Sequence, residues 1–264
     1  MEKSQKELAF IRDLYITPDW TQRFADLVDK NTDLTKAENL VYLNAGTGDH
    51  CFAIRERLDE QTAIFGACEN EDLLLIARDK AMALRSDVDF STIEFEEDSF
   101  GAVIGDASLI PPAEFDELFE QAIEVAKSGA SVTVFLPSAG SFGEVFSLLW
   151  EVFFNEDLGE HGDAAGEKIS ELLSVSALKK LAADAGLRNA RVETATEIFE
   201  FDNGAAFVEA PLVADFLLPH WLDMLDEDEK ERVIEKLAQL IDAEDGTLSF
   251  RFSIKATVVT GKKS

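Results

Sequence analysis

Hydrophobic and polar positions along the chain alternate between two periods. Short apolar runs of strand length fall at 40–43, 62–68, 88–95, 101–105 and 131–136. Between them, apolar residues recur at helical spacing over 50–58, 71–84 and 113–127, the last closed by the stop signal Ser128-Gly129. Residues 8–30 predict one or two amphipathic helices, with Trp20, Phe24 and Leu27 on one face and Pro18 after Thr17 as a start signal. Strands alternating with helices predict a parallel sheet covered on both faces, with right-handed crossovers.

Two stretches break that rhythm. Residues 142–173 hold Phe142, Phe146, Leu148, Leu149, Trp150, Val152, Phe153 and Phe154, then a polar loop at 155–166. This aromatic run either buries itself as core under other helices or lines a hydrophobic substrate pocket, and an exposed version implies a homodimer contact. After a helix at 176–185, a turn at Gly186 and a strand at 190–199, an all-helical insert occupies 203–243. The last strand, 247–260, alternates apolar and polar residues, which suits an antiparallel strand paired with its predecessor across the insert.

Composition narrows the function classes. The 264 residues carry 53 Asp and Glu against 24 Lys and Arg, a net charge of −29. Such a surface repels nucleic acid and anionic membrane, and only the tail Gly261-Lys-Lys-Ser264 is basic. The acid excess reads as solubility, a high-salt habitat or a basic protein partner. Two cysteines, Cys51 and Cys68, make no disulfide framework, and no histidine pair has metal-ligand spacing. No apolar run reaches membrane-spanning length, and the polar start lacks a signal core, so the expectation is a cytoplasmic protein.

The segment with the most chemistry is Tyr42-Leu-Asn-Ala-Gly-Thr-Gly-Asp49, a strand running into a glycine turn and then a helix. Backbone N–H groups at such a turn meet nucleotide-type ligands. A dinucleotide fingerprint would need a third glycine, where this chain has Cys51. With Leu73–Ala81, Phe100–Gly129 and Ser174–Arg191, the segment resembles the class I S-adenosylmethionine (SAM) dependent methyltransferases of small-molecule type. The resemblance implies an α/β, Rossmann-like seven-stranded methyltransferase sheet with the last strand antiparallel and a helical insert between the last two strands. It implies a single domain over 1–264, with N-terminal helices at 1–38 and helical caps at 142–173 and 203–243.

The same resemblance assigns the candidate site. Tyr42 stands where the family usually carries an acid, and Asn44 replaces the first glycine of the turn. The backbone near Asn44, Ala45, Gly46 and Gly48 would approach the methionine part of SAM, with Asp49 a further cofactor-binding candidate. Asn is the best substitute for glycine where φ is positive. Cys68 falls at the ribose-holding acid, where a thiol is a poor acceptor, and the adjacent Glu69 serves if the strand ends one residue differently. Otherwise Glu69 is a solvated loop acid. The loop after the third strand reads as shortened, leaving Ser91 and Thr92 for adenine unless they are plain strand residues. Gly105 and Asp106 end the fourth strand, where Asp106 orients a substrate or takes a proton, or else caps the turn before Pro111-Pro112. His161 is a candidate general base or a solvated bystander. His50 lies in the first turn after the glycine loop, where an anionic ligand would meet it, and His220 reads as packing.

Two functions follow. The first is SAM-dependent methylation of a small molecule, a reaction that needs alignment more than acid–base help. The second is a catalytically degenerate accessory or interaction subunit that has lost SAM. Losing a hydrogen bond to a charged group costs about 1.5–3 kcal/mol, and Tyr42, Cys68 and the adenine loop all depart from the family pattern.

Overall fold

The computed structural model describes residues 3–243 and 249–264. Its seven strands are β1 Asn39–Leu43, β2 Ala63–Ala67, β3 Asp89–Ser91, β4 Phe100–Asp106, β5 Ala126–Ser138, β6 Arg188–Phe201 and β7 Phe250–Lys262. They form one sheet in the order β3-β2-β1-β4-β5-β7-β6. The pairs β1–β2, β1–β4, β2–β3 and β4–β5 are parallel. At the far end, Gly129 N–H donates to Lys263 O (2.9 Å) and Lys263 N–H to Ala130 O (3.0 Å). The end of β7 thus meets the start of β5, running antiparallel to it. This is the expected seven-stranded methyltransferase sheet. Thr247 and Leu248, the first apolar part of the expected last strand, lie outside the described residues.

Register puts the candidate residues side by side. Leu43 pairs with Ala67 on one flank and Gly105 on the other. The carboxyl ends of β1, β2 and β4 therefore deliver Asn44, Cys68 and Asp106 to one edge, the edge where open α/β sheets bind ligands. Leu40, Val41, Ala102, Ile104, Val132 and Val134 are completely buried in the strands beneath.

The chain divides into two compact units, residues 1–136, 175–195 and 256–264 in one and 137–174 and 196–255 in the other. In the first, helix α1 (Gln5–Ile11) starts on a capping box in which Ser4 and Glu7 exchange hydrogen bonds. It continues into a π-helical run, Arg12–Thr21, and then α2 (Gln22–Asn31). Pro18 lies inside this run and does not start a helix. Proline withholds one N–H and crowds the preceding turn, and here the winding loosens into π turns without stopping. Trp20, Phe24 and Val28 are buried, and Phe24 stacks on Phe135 of β5 at 5.7 Å. Helix α3 (Asp49–Arg55) follows the glycine turn, and α4 (Glu71–Leu84) starts at Asn70, whose side chain accepts from Leu73 N–H.

Two boundaries differ from expectation. Strand β3 covers only Asp89–Ser91, shorter than the expected run 88–95, and residues 92–99 connect it to β4. Helix α5 (Phe115–Val125) ends before Ser128-Gly129, and those residues belong to β5. Gly129 has φ of +82°, yet its N–H is captured by the terminal strand, which extends the sheet where a helix stop was expected.

In the second unit, α6 (Gly143–Asn155) buries Val145, Phe146, Leu149, Val152 and Phe153, while Phe154 is 80% and Trp150 48% exposed. The aromatic run is mostly core: Phe142 and Phe146 pack on Trp221 at 5.1 and 5.4 Å. The polar stretch expected as loop holds a short 3-10 turn, Gly159–His161, and α7 (Gly162–Ser170). Helix α8 (Val175–Asp184), back in the first unit, precedes β6. The insert supplies α9 (Gly204–Val208), α10 (Leu218–Trp221) and α11 (Glu227–Ala243). Among the described residues no helix is long and apolar enough to cross a membrane.

Candidate cofactor site at the glycine turn

The turn after β1 is built from left-handed backbone. Asn44, Gly46 and Gly48 have φ of +55°, +57° and +85°. Asn44 takes the place of a glycine at modest cost, because its side chain donates to the Asp106 carbonyl at 3.1 Å. Ala45 N–H donates to Ala67 O (2.8 Å) and Gly48 N–H to Ala45 O (2.9 Å), which closes the loop onto β2. A side chain at Gly48 would collide with Phe90, whose Cζ lies 2.6 Å from the added carbon. Packing alone therefore requires that glycine.

Gly46 carries the loop's contact with a carboxylate. Its N–H donates to Glu69 Oε2 at 3.0 Å, so a carboxylate already rests on the loop. The other Glu69 oxygen accepts from Arg12 Nη1 at 2.5 Å. The Arg12 side chain is only 12% exposed, and its guanidinium lies over Gly46, where an added Cβ would meet Nη2 at 3.0 Å. Burial works against this charge, but Glu69 and Asp106 outweigh it and lift the guanidinium above its usual pKa. The N-terminal run is tied down further by Lys80, which bridges Asp13 and Asp49, the latter at 2.5 Å. Thr17 Oγ1 also approaches Thr47 Oγ1 at 3.5 Å.

Asp106 is buried at the end of β4, and its carboxylate accepts from Ser108 N–H at 2.8 Å. Burial raises its pKa more than Arg12 and Ser108 lower it. It caps its turn and also lines the cavity over the loop. Tyr42 is 2% exposed, with its hydroxyl 3.0 Å from His50 Nδ1, and His50 Nε2 lies 3.1 Å from Asp29 Oδ1. Burial, with Asp106 and Cys51 adding, pushes the Tyr42 hydroxyl well above its usual range.

Together Arg12, Thr17, Thr21, Tyr42, Ala45–His50 and Asp106 enclose a cavity of only about 10 Å³. That holds one water at most. The Arg12 guanidinium lies over Gly46 in that space, and Tyr42 lines it. The donor set nonetheless fits SAM: a left-handed loop with an N–H on a carboxylate, and a carboxylate at the β2 end. What stands over the loop is the tip of a flexible side chain, so room depends on Arg12 swinging away.

The remaining candidates do not line that cavity. Cys68 is buried, with N–H donating to Ser91 O, and burial followed by Glu69 pushes its thiol up to about 12. A neutral thiol cannot stand in for a ribose-binding carboxylate. Ser91 ends β3, while Thr92 lies beyond it and donates to Glu71 at 2.8 Å. Gly105 sits within β4 against Val134, 3.3 Å from its added Cβ, as a sheet-packing glycine. His161 belongs to the second unit, 3.9 Å from Glu229. Arg12, Asp29 and Lys80 were not marked by the sequence. Arg12 is 57 residues from Glu69, and nothing local signals that contact.

No protein-family model matches the chain, and no curated protein matches it. Solved structures do. The YcgJ protein of Bacillus subtilis superposes with a TM-score of 0.58 at 13% identity, covering 92% of this chain and 98% of that one. Phosphoethanolamine N-methyltransferase 2 of Haemonchus contortus, in complex with phosphomonomethylethanolamine and S-adenosylhomocysteine (SAH), gives 0.56 at 13% identity over 99% of this chain and 59% of that one. Geranyl diphosphate C-methyltransferase of Streptomyces coelicolor, in complex with Mg2+, geranyl diphosphate and SAH, gives 0.51 at 12% identity over 92% and 79%. At these identities the likeness speaks for architecture, and this chain has the class I SAM-dependent methyltransferase fold.

Proposed function

We propose that the protein binds SAM at the Asn44–Gly48 turn and transfers its methyl group to a small molecule. The observation that carries this reading is Glu69: it stands at the β2 end with one oxygen on Gly46 N–H. The bound donor supplies an activated methyl on a sulfonium. Glu69 would hold the ribose hydroxyls by charge-assisted bonds, and the Gly46 N–H, released from Glu69, would face the donor's carboxylate. Asp106 would orient the acceptor. Both SAH-bound neighbours are methyltransferases of small molecules, which supports the substrate class. Two buried free thiols suit a cytoplasmic setting, and the exposed Trp150 and Phe154 on α6 are the face a homodimer would use.

A second reading draws on Arg12. With the cavity reduced to about 10 Å³, the same fold would serve as an accessory subunit without SAM. Calorimetric titration with SAM and SAH up to millimolar concentration separates the two. Micromolar binding supports the enzyme, and absence of both heat and thermal stabilisation leaves the accessory role.

A further inference from the structure

A hydrogen-bonded chain runs from the cofactor cavity to the surface. Tyr42 on β1 and His50 on α3 both line the cavity. The Tyr42 hydroxyl meets His50 Nδ1 at 3.0 Å, and His50 Nε2 meets Asp29 Oδ1 on α2 at 3.1 Å. Asp29 also accepts from Arg57 Nη2 at 2.5 Å. On its far side Asp29 lines a second, open cavity of about 170 Å³ with Thr32, Asp33 and Arg57.

The chain has a fixed polarity. Burial would raise the Asp29 carboxyl, but hydrogen bonds from His50 and Arg57 prevail and hold it below its usual value. An ionised carboxylate only accepts, so the neutral imidazole carries its proton on Nε2. Nδ1 is then a bare acceptor, and the Tyr42 hydroxyl donates to it. That leaves a lone pair on Tyr42 Oη free to accept a proton.

We propose that Tyr42, His50 and Asp29 form a proton relay that removes the proton released on methylation. This rests on the methyl-transfer reading. The acceptor's lone pair forms the new bond to the methyl carbon, and the carbon–sulfur bond breaks with its electrons going to sulfur. The acceptor's proton passes to Tyr42 Oη as the hydroxyl proton moves to His50 Nδ1. The two shifts are concerted, because burial opposes a free tyrosinate. The cavity starts with a sulfonium and a neutral imidazole and ends with a thioether and an imidazolium, so its charge is unchanged. Asp29, backed by Arg57, fixes the tautomer and then passes the Nε2 proton toward the open cavity, and the proton left on Nδ1 returns to Nε2 by exchange through solvent, which restores the resting state. The other charged or titratable groups lining the cavity are Arg12, Asp49 and Asp106, with Cys51 next to His50 on α3.

The charge balance makes the relay testable without knowing the acceptor. Calorimetric titrations of the full chain with SAM and with SAH, each in two buffers of different ionisation heat, count the protons taken up. The window is about pH 6–8, where histidines change charge. SAH should bind with uptake of a fraction of a proton that SAM binding lacks, and the difference should vanish in His50→Gln. Nitrogen-15 spectra of the ligand-free protein should place the His50 proton on Nε2, and Asp29→Asn should shift it toward Nδ1. Equal proton uptake for the two ligands, or an Nδ1–H tautomer in the unmodified protein, overturns the relay alone. Absence of binding by either ligand overturns the methyl-transfer reading and the relay with it.

Discussion

Arg12 and Glu69 meet at 2.5 Å directly over the glycine turn. Both oxygens of the Glu69 carboxylate, which we propose holds the ribose, are therefore occupied, by a guanidinium and by the Gly46 N–H. A ligand entering this site must displace Arg12 from Glu69. Replacing Arg12 with Met keeps the aliphatic stem and removes the competitor. A hydrogen bond to a charged group contributes about 1.5–3 kcal/mol. We expect SAH to bind Arg12→Met roughly tenfold more tightly than the unmodified protein, measured by calorimetry. Weaker binding would make Arg12 a ligand-holding group.

Glu69 should respond in the opposite direction. Glu69→Gln keeps the shape but loses the charge that recognises paired hydroxyls. SAH affinity should fall by about tenfold to a hundredfold, while circular dichroism stays unchanged. A Glu69→Gln protein binding SAH as tightly as its parent would remove Glu69 from the cofactor site.

The architecture was legible in the chain because each strand of the parallel core is a short apolar run next to a helix of clear 3.6-residue period. Asn44 was legible too, since only Gly and Asn settle readily at positive φ, and φ there is +55°. The filling of the site was not. Arg12–Glu69 and His50–Asp29 join residues 57 and 21 positions apart. Such contacts follow from how the N-terminal helices fold back onto the sheet edge, and no local pattern encodes them. Pro18 and Gly129 misled for a related reason: tertiary packing kept a helix going through one and drew the other into a strand.

Cys51 and Cys68 are free, buried thiols. Burial is the main cause lifting both, Cys68 to about 12 and Cys51 well above its usual value. The thiolate is the reactive form, so the native protein should leave both unmodified by a disulfide reagent at pH 8, and unfolding in guanidinium should release two equivalents. Rapid labelling of Cys68 in the folded protein would show that the β2 end is open to solvent.

Ser108 Oγ is buried beside the Asp106 carboxylate, yet makes no hydrogen bond of good geometry among the described residues. An unsatisfied buried hydroxyl costs about 1–3 kcal/mol. Ser108→Ala removes that cost along with one small atom, so its unfolding midpoint in urea should equal or exceed the parent's. A loss of more than about 1 kcal/mol would mean the hydroxyl is paired in solution, either with water or with the Asp106 carboxylate.

Asp106 makes folding stability depend on pH. Its folded pKa is raised, chiefly by burial, above the ordinary value, and in the unfolded chain an aspartate titrates near about 3.9. The folded state therefore binds this proton more tightly than the unfolded one, and stability falls as pH rises from the unfolded pKa through the folded one. Above that window the ionised, buried carboxylate is a standing cost. Asp106→Asn removes the charge and can still accept from Ser108 N–H. Its thermal midpoint should exceed the parent's at pH 7, and the two should converge below about pH 4, where both side chains are neutral. The gain would be offset in function, because the amide lacks the negative charge that we propose orients the acceptor. A pH-independent loss of stability in Asp106→Asn would mean that pairing with Arg12, not burial, governs this carboxylate.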